Sequence, residues 1–204
     1  MSIYQLKSSF QNLLQPICDW LAARRVTANQ VTVAAMILSL FAGLFIFFKP
    51  TIMAPLILLP LVLLIRMALN AIDGMLAREH NMQSNLGAIL NELGDVISDV
   101  VLFLPLALVP VLNAYLMLAI VIMAILTEMM GVVAIQIGTN RRYDGPMGKS
   151  DRAFIFGVLG LLIGCGWLTS VVWCNIILST VLVLTFLTVL NRAAKALKEA
   201  AIAD

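Results

Sequence analysis

Residues 53–78 read MAPLILLPLVLLIRMALNAIDGMLAR, an apolar run broken only by Arg66, Asn70, Asp73 and Arg78. About 20 apolar residues cross a bilayer core of roughly 30 Å as a helix, so this stretch predicts a membrane span with polar groups held inside it. The whole chain has the same character. Of its 204 residues, 62% are hydrophobic and 12% charged, with a mean hydropathy of +1.02, whereas soluble domains carry about 25% charged residues. A soluble globular domain is excluded, and a net charge of +2 gives no reason to expect a nucleic-acid partner. Cys18, Cys165 and Cys174 are odd in number and lack metal-ligand spacing, so they read as packing residues, not as a disulfide framework or a zinc site.

Working outward, further apolar runs predict six spans: Gln30–Phe48, Met53–Arg78, Gly87–Val109, Asn113–Gly138, Asp151–Trp167 and Val172–Arg192. Ahead of them, Ile3, Leu6, Phe10, Leu13, Leu14, Ile17, Trp20 and Leu21 recur at helical spacing between polar residues. This predicts an amphipathic helix on the membrane surface, bent at Pro16, and not a cleavable signal. The predicted fold is all-α: a polytopic membrane protein of six transmembrane helices preceded by an N-terminal amphipathic surface helix. It forms one domain over 1–204, with an interfacial segment over 1–25 and a six-helix bundle over 30–198. Lys7, Arg24, Arg25, Arg78, Arg141, Arg142, Lys149, Arg152, Arg192, Lys195 and Lys198 would share one face, while the opposite face has only Lys49. By the positive-inside rule both termini and the 78–86 and 139–150 loops are expected in the cytoplasm.

Ionisable groups cost about 2.5–3.5 kcal/mol each at the centre of a membrane helix, so they are functional candidates by default. On the second span, Arg66, Asn70, Asp73 and Ala77 align on one face; on the third, Gly87, Asn91, Asp95 and Asp99 do the same. A short loop makes the two spans antiparallel neighbours, so their oxygens can converge on a hard divalent cation such as Mg²⁺ or Mn²⁺. The other reading is a set of interhelical hydrogen bonds holding the bundle together. Gly74, Ala77 and Gly87 flank the stripes and leave a slot for a flat ring or a phosphate, although close helix packing would use small residues too.

The pattern Asn70-x-x-Asp73-Gly74-x-x-Ala77-Arg78, eight residues, then Gly87-x-x-x-Asn91-x-x-x-Asp95 resembles the signature of the CDP-alcohol phosphotransferases, Asp-x-x-Asp-Gly-x-x-Ala-Arg followed by Gly-x-x-x-Asp-x-x-x-Asp. The resemblance extends to Thr27-Ala-Asn29-Gln-Val-Thr32 and to Gly148-Lys149. Within the family it is greatest for the YnbA-like branch of bacterial inner-membrane proteins, through the segments around Arg66, Asp95 to Asp99, and Arg142 to Arg152. It implies metal-dependent transfer of a phosphatidyl or similar phospho-group from a CDP-linked donor such as CDP-diacylglycerol to an alcohol, with release of CMP, by a homodimer in the inner membrane. By the same resemblance, Asn70, Asp73, Asn91 and Asp95 would ligate Mg²⁺ or Mn²⁺, with Asp95 also the general base. Asn29, Thr32, Gly74, Ala77, Arg78 and Gly87 would bind the CDP moiety, and Arg141, Arg142, Lys149 and Arg152 would face an anionic acceptor.

Asparagine stands at 70 and 91 where the family has aspartate, which removes two countercharges and leaves open one metal ion or two. Glu92 and Asp99 are the nearby carboxylates that could compensate. Three readings remain: an active transferase, a family member that binds CDP-lipid without turnover, and a small transporter with a polar core. Of the other polar residues, Glu128 needs a partner inside the fourth span, for which Arg66 is a candidate. The Arg141 to Arg152 cluster could equally anchor the fold on anionic headgroups, and His80 reads as a solvated loop residue.

Overall fold

The computed structural model describes residues 3–203, with side chains for 10–202, so Ile3, Leu6 and Lys7 lie outside the described side chains. The described residues fold into seven α-helices and no strands: α1 (Ile3–Ala23), α2 (Ala28–Phe48), α3 (Met53–Glu79), α4 (Asn85–Phe103), α5 (Ala114–Gln136), α6 (Lys149–Gly164) and α7 (Val171–Ala203). A 3₁₀ segment, Leu104–Leu108, follows α4. Helices α2, α3, α5 and α7 are long and apolar enough to cross a membrane. The other two expected spans are less clear-cut: α4 carries Glu92, Asp95 and Asp99 within 19 residues, and α6 has only 16.

Local chemistry sets most of the boundaries. Thr27 caps α2 in a reciprocal capping box with Gln30, Ser84 caps α4 through the Gly87 N–H, and the Asn113 side-chain Oδ1 accepts from the Tyr115 and Leu116 N–H groups. The third apolar run leaves the α form at Leu104, because Pro105 lacks the N–H that would continue the ladder. Helix α6 begins at Lys149, where the Asp151 carboxylate accepts from Gly148 N at 2.9 Å. Past its end, Gly166 takes a positive φ of 73°, so the chain turns before Trp167. Helix α7 runs beyond Arg192 to Ala203, because the charges after Arg192 mark a change of surroundings while the residues remain good helix formers.

One expectation of the packing is corrected. Helix α2 packs closely on both α3 and α4, so the two motif helices do not lie backbone against backbone. They meet instead through long polar side chains and leave space between them near Glu79 and Asn85. Helix α6 covers the other side of α3, and α5 pairs with α7. At the α3–α6 contact a Cβ added to Gly160 would lie 2.9 Å from Leu59 Cδ2 and 3.1 Å from the Leu56 carbonyl oxygen, so only glycine allows that approach. The Phe103 and Phe156 rings, 4.7 Å apart, stand in the main apolar core.

Helix α1 continues through Pro16 and packs on α3, burying Leu14 and Cys18 against Ile72, Met75 and Leu76. Leu13, Ile17 and Trp20 stay exposed. Gln15 donates to Glu79 at 2.9 Å, and His80 Nε2 lies 3.3 Å from Asp19, so His80 links the α3 terminus to α1 instead of standing free in solvent. Cys18 and Cys174 are buried as packing residues should be, but Cys165 is exposed at the end of α6.

Candidate active site

A cavity of about 550 Å³ opens between α2, α3 and α4 and the loop that joins the last two. It is lined by Asn29 and Thr32 from α2; Asn70, Asp73, Gly74, Ala77 and Arg78 from α3; and Gly87 and Asn91 from α4. These are the motif residues, brought together because the two stripes face across α2. The loop adds Met82, Gln83 and Ser84, which the sequence reading passed over. Ser84 had a visible signal, since Ser three residues ahead of Gly87 at the start of an apolar periodic run is a helix N-cap pattern. Its hydroxyl accepts from Gly87 N at 3.0 Å and lies 3.4 Å from Asn29 Nδ2. A Cβ at Gly87 would come within 2.7 Å of Asn29 Oδ1, so glycine keeps this wall open.

The polar groups are held in place by their neighbours. Thr32 donates its hydroxyl to Asp73 Oδ2 at 2.7 Å, which fixes that carboxylate and leaves Oδ1 for other partners. Asp95 stands one helical turn beyond Asn91, where its Oδ1 accepts from Asn70 Nδ2 at 3.0 Å and forms an ion pair with Lys149. Arg66 Nη2 donates to the Asp95 carbonyl oxygen at 3.2 Å. Among the described residues no three His, Cys, Asp or Glu side chains gather as a metal cluster. A cation held here would therefore draw on two carboxylates and two amides, all hard oxygen donors, and that set fits Mg²⁺ or Mn²⁺ better than a thiophilic metal. Of the two carboxylates, Asp95 would have to share its charge between such an ion and Lys149.

Behind this site runs an ion-pair chain whose wiring differs from expectation. Arg66 pairs with Asp99 at 2.6 Å, not with Glu128. Glu128 instead faces Arg152 at 3.3 Å, Arg141 at 3.5 Å and Arg192 at 3.6 Å. Arg152 also reaches Asp99 at 3.1 Å, Thr127 Oγ1 at 3.1 Å and the Met147 carbonyl at 3.2 Å, and it is fully buried. It therefore lies inside the bundle and not at its surface. Arg141 holds Glu92 at 2.7 Å and lies over the Tyr143 ring, 4.4 Å from its centre. Arg142 pairs with Asp144 at 2.8 Å and with Glu199. Glu92 and Asp99, the two carboxylates that could have made good the missing charges, are thus both committed to arginines.

In the 137–148 loop the same pairing shifts proton affinities. A hydrogen bond from Lys195, opposed by partial burial and reinforced by Arg142, holds the Asp144 carboxyl below its ordinary range. Burial acts to lower the Arg141 value, but the Glu92 hydrogen bond and charge outweigh it and raise the guanidinium above its ordinary value.

Comparison with known proteins gives a consistent picture. Residues 25–190 match the family described as CDP-alcohol phosphatidyltransferase. The inner membrane protein YnbA of Escherichia coli (strain K12) is 48% identical over 196 residues, which is 94% of each chain. Among solved structures, the phosphatidylinositol phosphate synthase PgsA1 of Mycobacterium tuberculosis with CDP-DAG bound superposes with a TM-score of 0.75 at 19% identity, over 91% of this chain and 94% of that one. The same synthase with manganese and citrate gives a TM-score of 0.73 at 20% identity, over 89% and 87% of the two chains. At such identities the likeness is one of fold.

Proposed function

Since this chain belongs to the CDP-alcohol phosphatidyltransferase family, we propose that it moves a phosphatidyl or similar phospho-group from a CDP-linked donor, in the first instance CDP-diacylglycerol, to an alcohol acceptor and releases CMP. The observation that carries this reading is that one cavity gathers the motif residues of α3 and α4 around Asp73, with Asp95 one turn beyond Asn91. PgsA1, the synthase of like fold, is described with CDP-DAG in one structure and manganese in another.

In this reading Asn29, Thr32, Gly74, Ala77, Arg78 and Gly87 hold the CDP moiety. Arg78 lines the same cavity, and its guanidinium would meet the charge of a diphosphate bound there. Asn70, Asp73, Asn91 and Asp95 would hold a divalent cation, Mg²⁺ or Mn²⁺, which when bound offsets charge on the diphosphate and on departing CMP. The acceptor hydroxyl oxygen forms a bond to the phosphatidyl phosphorus. The bond from that phosphorus to the bridging oxygen breaks, CMP leaves with that oxygen, and the hydroxyl proton passes to the Asp95 carboxylate. Asn70 and Lys149 keep Asp95 oriented beforehand.

A second reading follows from Asn70 and Asn91: with half the family's carboxylates, the chain binds CDP-lipid without turnover. Metal binding tests what both readings share. Mn²⁺ or Mg²⁺ with CDP-diacylglycerol should raise the thermal stability of the detergent-solubilised protein in a saturable manner, and Asp73→Ala should remove the shift. Equal stabilisation of both proteins would put the cation elsewhere.

The site also has to face its donor. We take α4 and α6 to complete six crossings, with α1 on the membrane surface, its exposed Leu13, Ile17 and Trp20 turned to lipid. Both termini and the cavity mouth then lie in the cytoplasm. Labelling probes at Asn81 and Gly145 should report the cytoplasm, and probes at Thr51 and Thr169 the opposite side. Gly145 and Thr169 on the same side would remove α6 as a crossing; Asn81 outside would separate the site from cytosolic donors.

A further inference from the structure

Helix α7 is longer than a crossing requires. It runs for 33 residues, whereas about 20 span the bilayer core, and its end past Arg192 lies against the 137–148 loop. One face of it carries Thr188, Arg192, Lys195 and Glu199 at steps of four, three and four. Each of the four holds the loop. Met147 N donates to Thr188 Oγ1 at 2.9 Å, Arg192 Nε donates to the Asp144 carbonyl oxygen at 3.1 Å, and Lys195 pairs with the Asp144 carboxylate at 2.7 Å. The Glu199 carboxylate accepts from Asn140 N at 3.2 Å and from Asn140 Nδ2 at 2.9 Å, and it pairs with Arg142. Between those two residues Arg141 reaches away from α7, to Glu92 on α4 at 2.7 Å and to Glu128 on α5 at 3.5 Å. Glu92 precedes Asp95 by three residues, so the two are neighbours on the surface of α4.

Resting on the transfer reading above, we propose that Glu199 is a positioning residue for the acceptor half of the site: by fixing Asn140 and Arg142 it aims Arg141 at the face of α4 beside Asp95. The hold of Arg141 on α4 is weak by itself. The Glu92 side chain is 30% exposed, and Glu128 is shared with Arg152 and Arg192. A part-exposed pair contributes little unless the segment that carries it is already ordered, and the loop has no regular secondary structure over 140–144 to order it. The end of α7 supplies that order. The donor cavity is built without it, from α2, α3, α4 and the loop between the last two.

The test has two arms. In the first, CMP release from CDP-diacylglycerol is followed while the concentration of an alcohol that the wild type uses is varied. Glu199→Ala should lower kcat/KM for the alcohol by about tenfold, less than the roughly 10²-fold that an ångström of misplacement can cost, and should leave equilibrium binding of CDP-diacylglycerol unchanged. Glu199→Gln keeps an oxygen for Asn140 and should recover part of the loss, while Lys198→Ala, at an exposed position on the same helix, should match the wild type. In the second arm, hydrogen exchange is measured on the protein in detergent without substrates. Arg142 N donates to the Gly131 carbonyl oxygen at 3.1 Å and not to Glu199, so faster exchange there in Glu199→Ala reports a loosened loop. Gly87 N, beside the donor cavity, should exchange as in the wild type. Unchanged alcohol kinetics, a loss of donor affinity in step with the rate, or wild-type exchange at Arg142 would overturn the proposal. Failure of every alcohol to release CMP from the wild type would count against the transfer reading alone. Exchange at Arg142 then still decides whether Glu199 orders the loop: faster exchange in Glu199→Ala supports it, and equal exchange refutes it.

Discussion

Asp95→Asn is expected to reduce CMP release by about 10²–10⁴-fold, the usual effect of removing a general base, with donor binding partly retained. The substitution is nearly isosteric, and an amide oxygen at the same place can still accept from Asn70 Nδ2, which is 3.0 Å away. What it cannot do is take a proton from the acceptor hydroxyl. It also leaves the Lys149 ammonium without its carboxylate, so the variant should lose rate more than donor affinity. Single-turnover CMP release, measured beside equilibrium binding of CDP-diacylglycerol, separates the two effects. A rate near that of wild type would move the base to another residue.

The largest stability effect is expected at Arg152. Its side chain is wholly buried and joins Asp99 on α4 to Glu128 on α5 from its own place on α6. Arg152→Met leaves both carboxylates with one partner fewer inside the bundle, where breaking a buried pair costs about 3–5 kcal/mol. The apparent melting temperature in detergent should fall steeply. Lys195→Met, which breaks a pair whose lysine is 55% exposed, should change stability by less than about 1 kcal/mol. Equal small changes in the two variants would show that the buried chain is not what holds α4, α5 and α6 together. Glu128→Gln combined with Arg152→Met should cost less than the sum of the two single changes, because the groups removed are partners of each other.

Apolar runs were enough to find α2, α3, α5 and α7, since a stretch that must satisfy its backbone in lipid has few alternatives to a helix. Helix termini needed finer cues. Pro105 ended α4 inside an unbroken apolar run, and α7 continued through the charged residues after Arg192. The motif residues could be assigned to faces because four-residue steps hold a side chain on one side of a helix. Which helices those faces meet is a different matter. Spacing alone made α3 and α4 direct neighbours, whereas α2 packs on both and so makes room for the cavity. The same limit explains the partner of Glu128. A buried carboxylate needs a cation, but three arginines from the 137–148 loop, α6 and α7 reach it while Arg66 goes to Asp99. Those contacts join residues far apart in the chain, and no local pattern encodes them.

Asn70 and Asn91 carry the remaining question. Their replacement by aspartate restores the family's carboxylates, and by charge alone Asn70→Asp with Asn91→Asp should tighten cation binding whichever reading holds. Turnover separates the readings. The direct measurement is CMP release from CDP-diacylglycerol by the purified wild-type protein, saturated with Mn²⁺ or Mg²⁺ and supplied with a panel of alcohols, beside the doubly substituted protein. The transferase account expects release by the wild type that Asp95→Asn eliminates. Silence from the wild type with every alcohol, together with release by the double variant, would contradict it and leave a CDP-lipid-binding protein that has lost its chemistry.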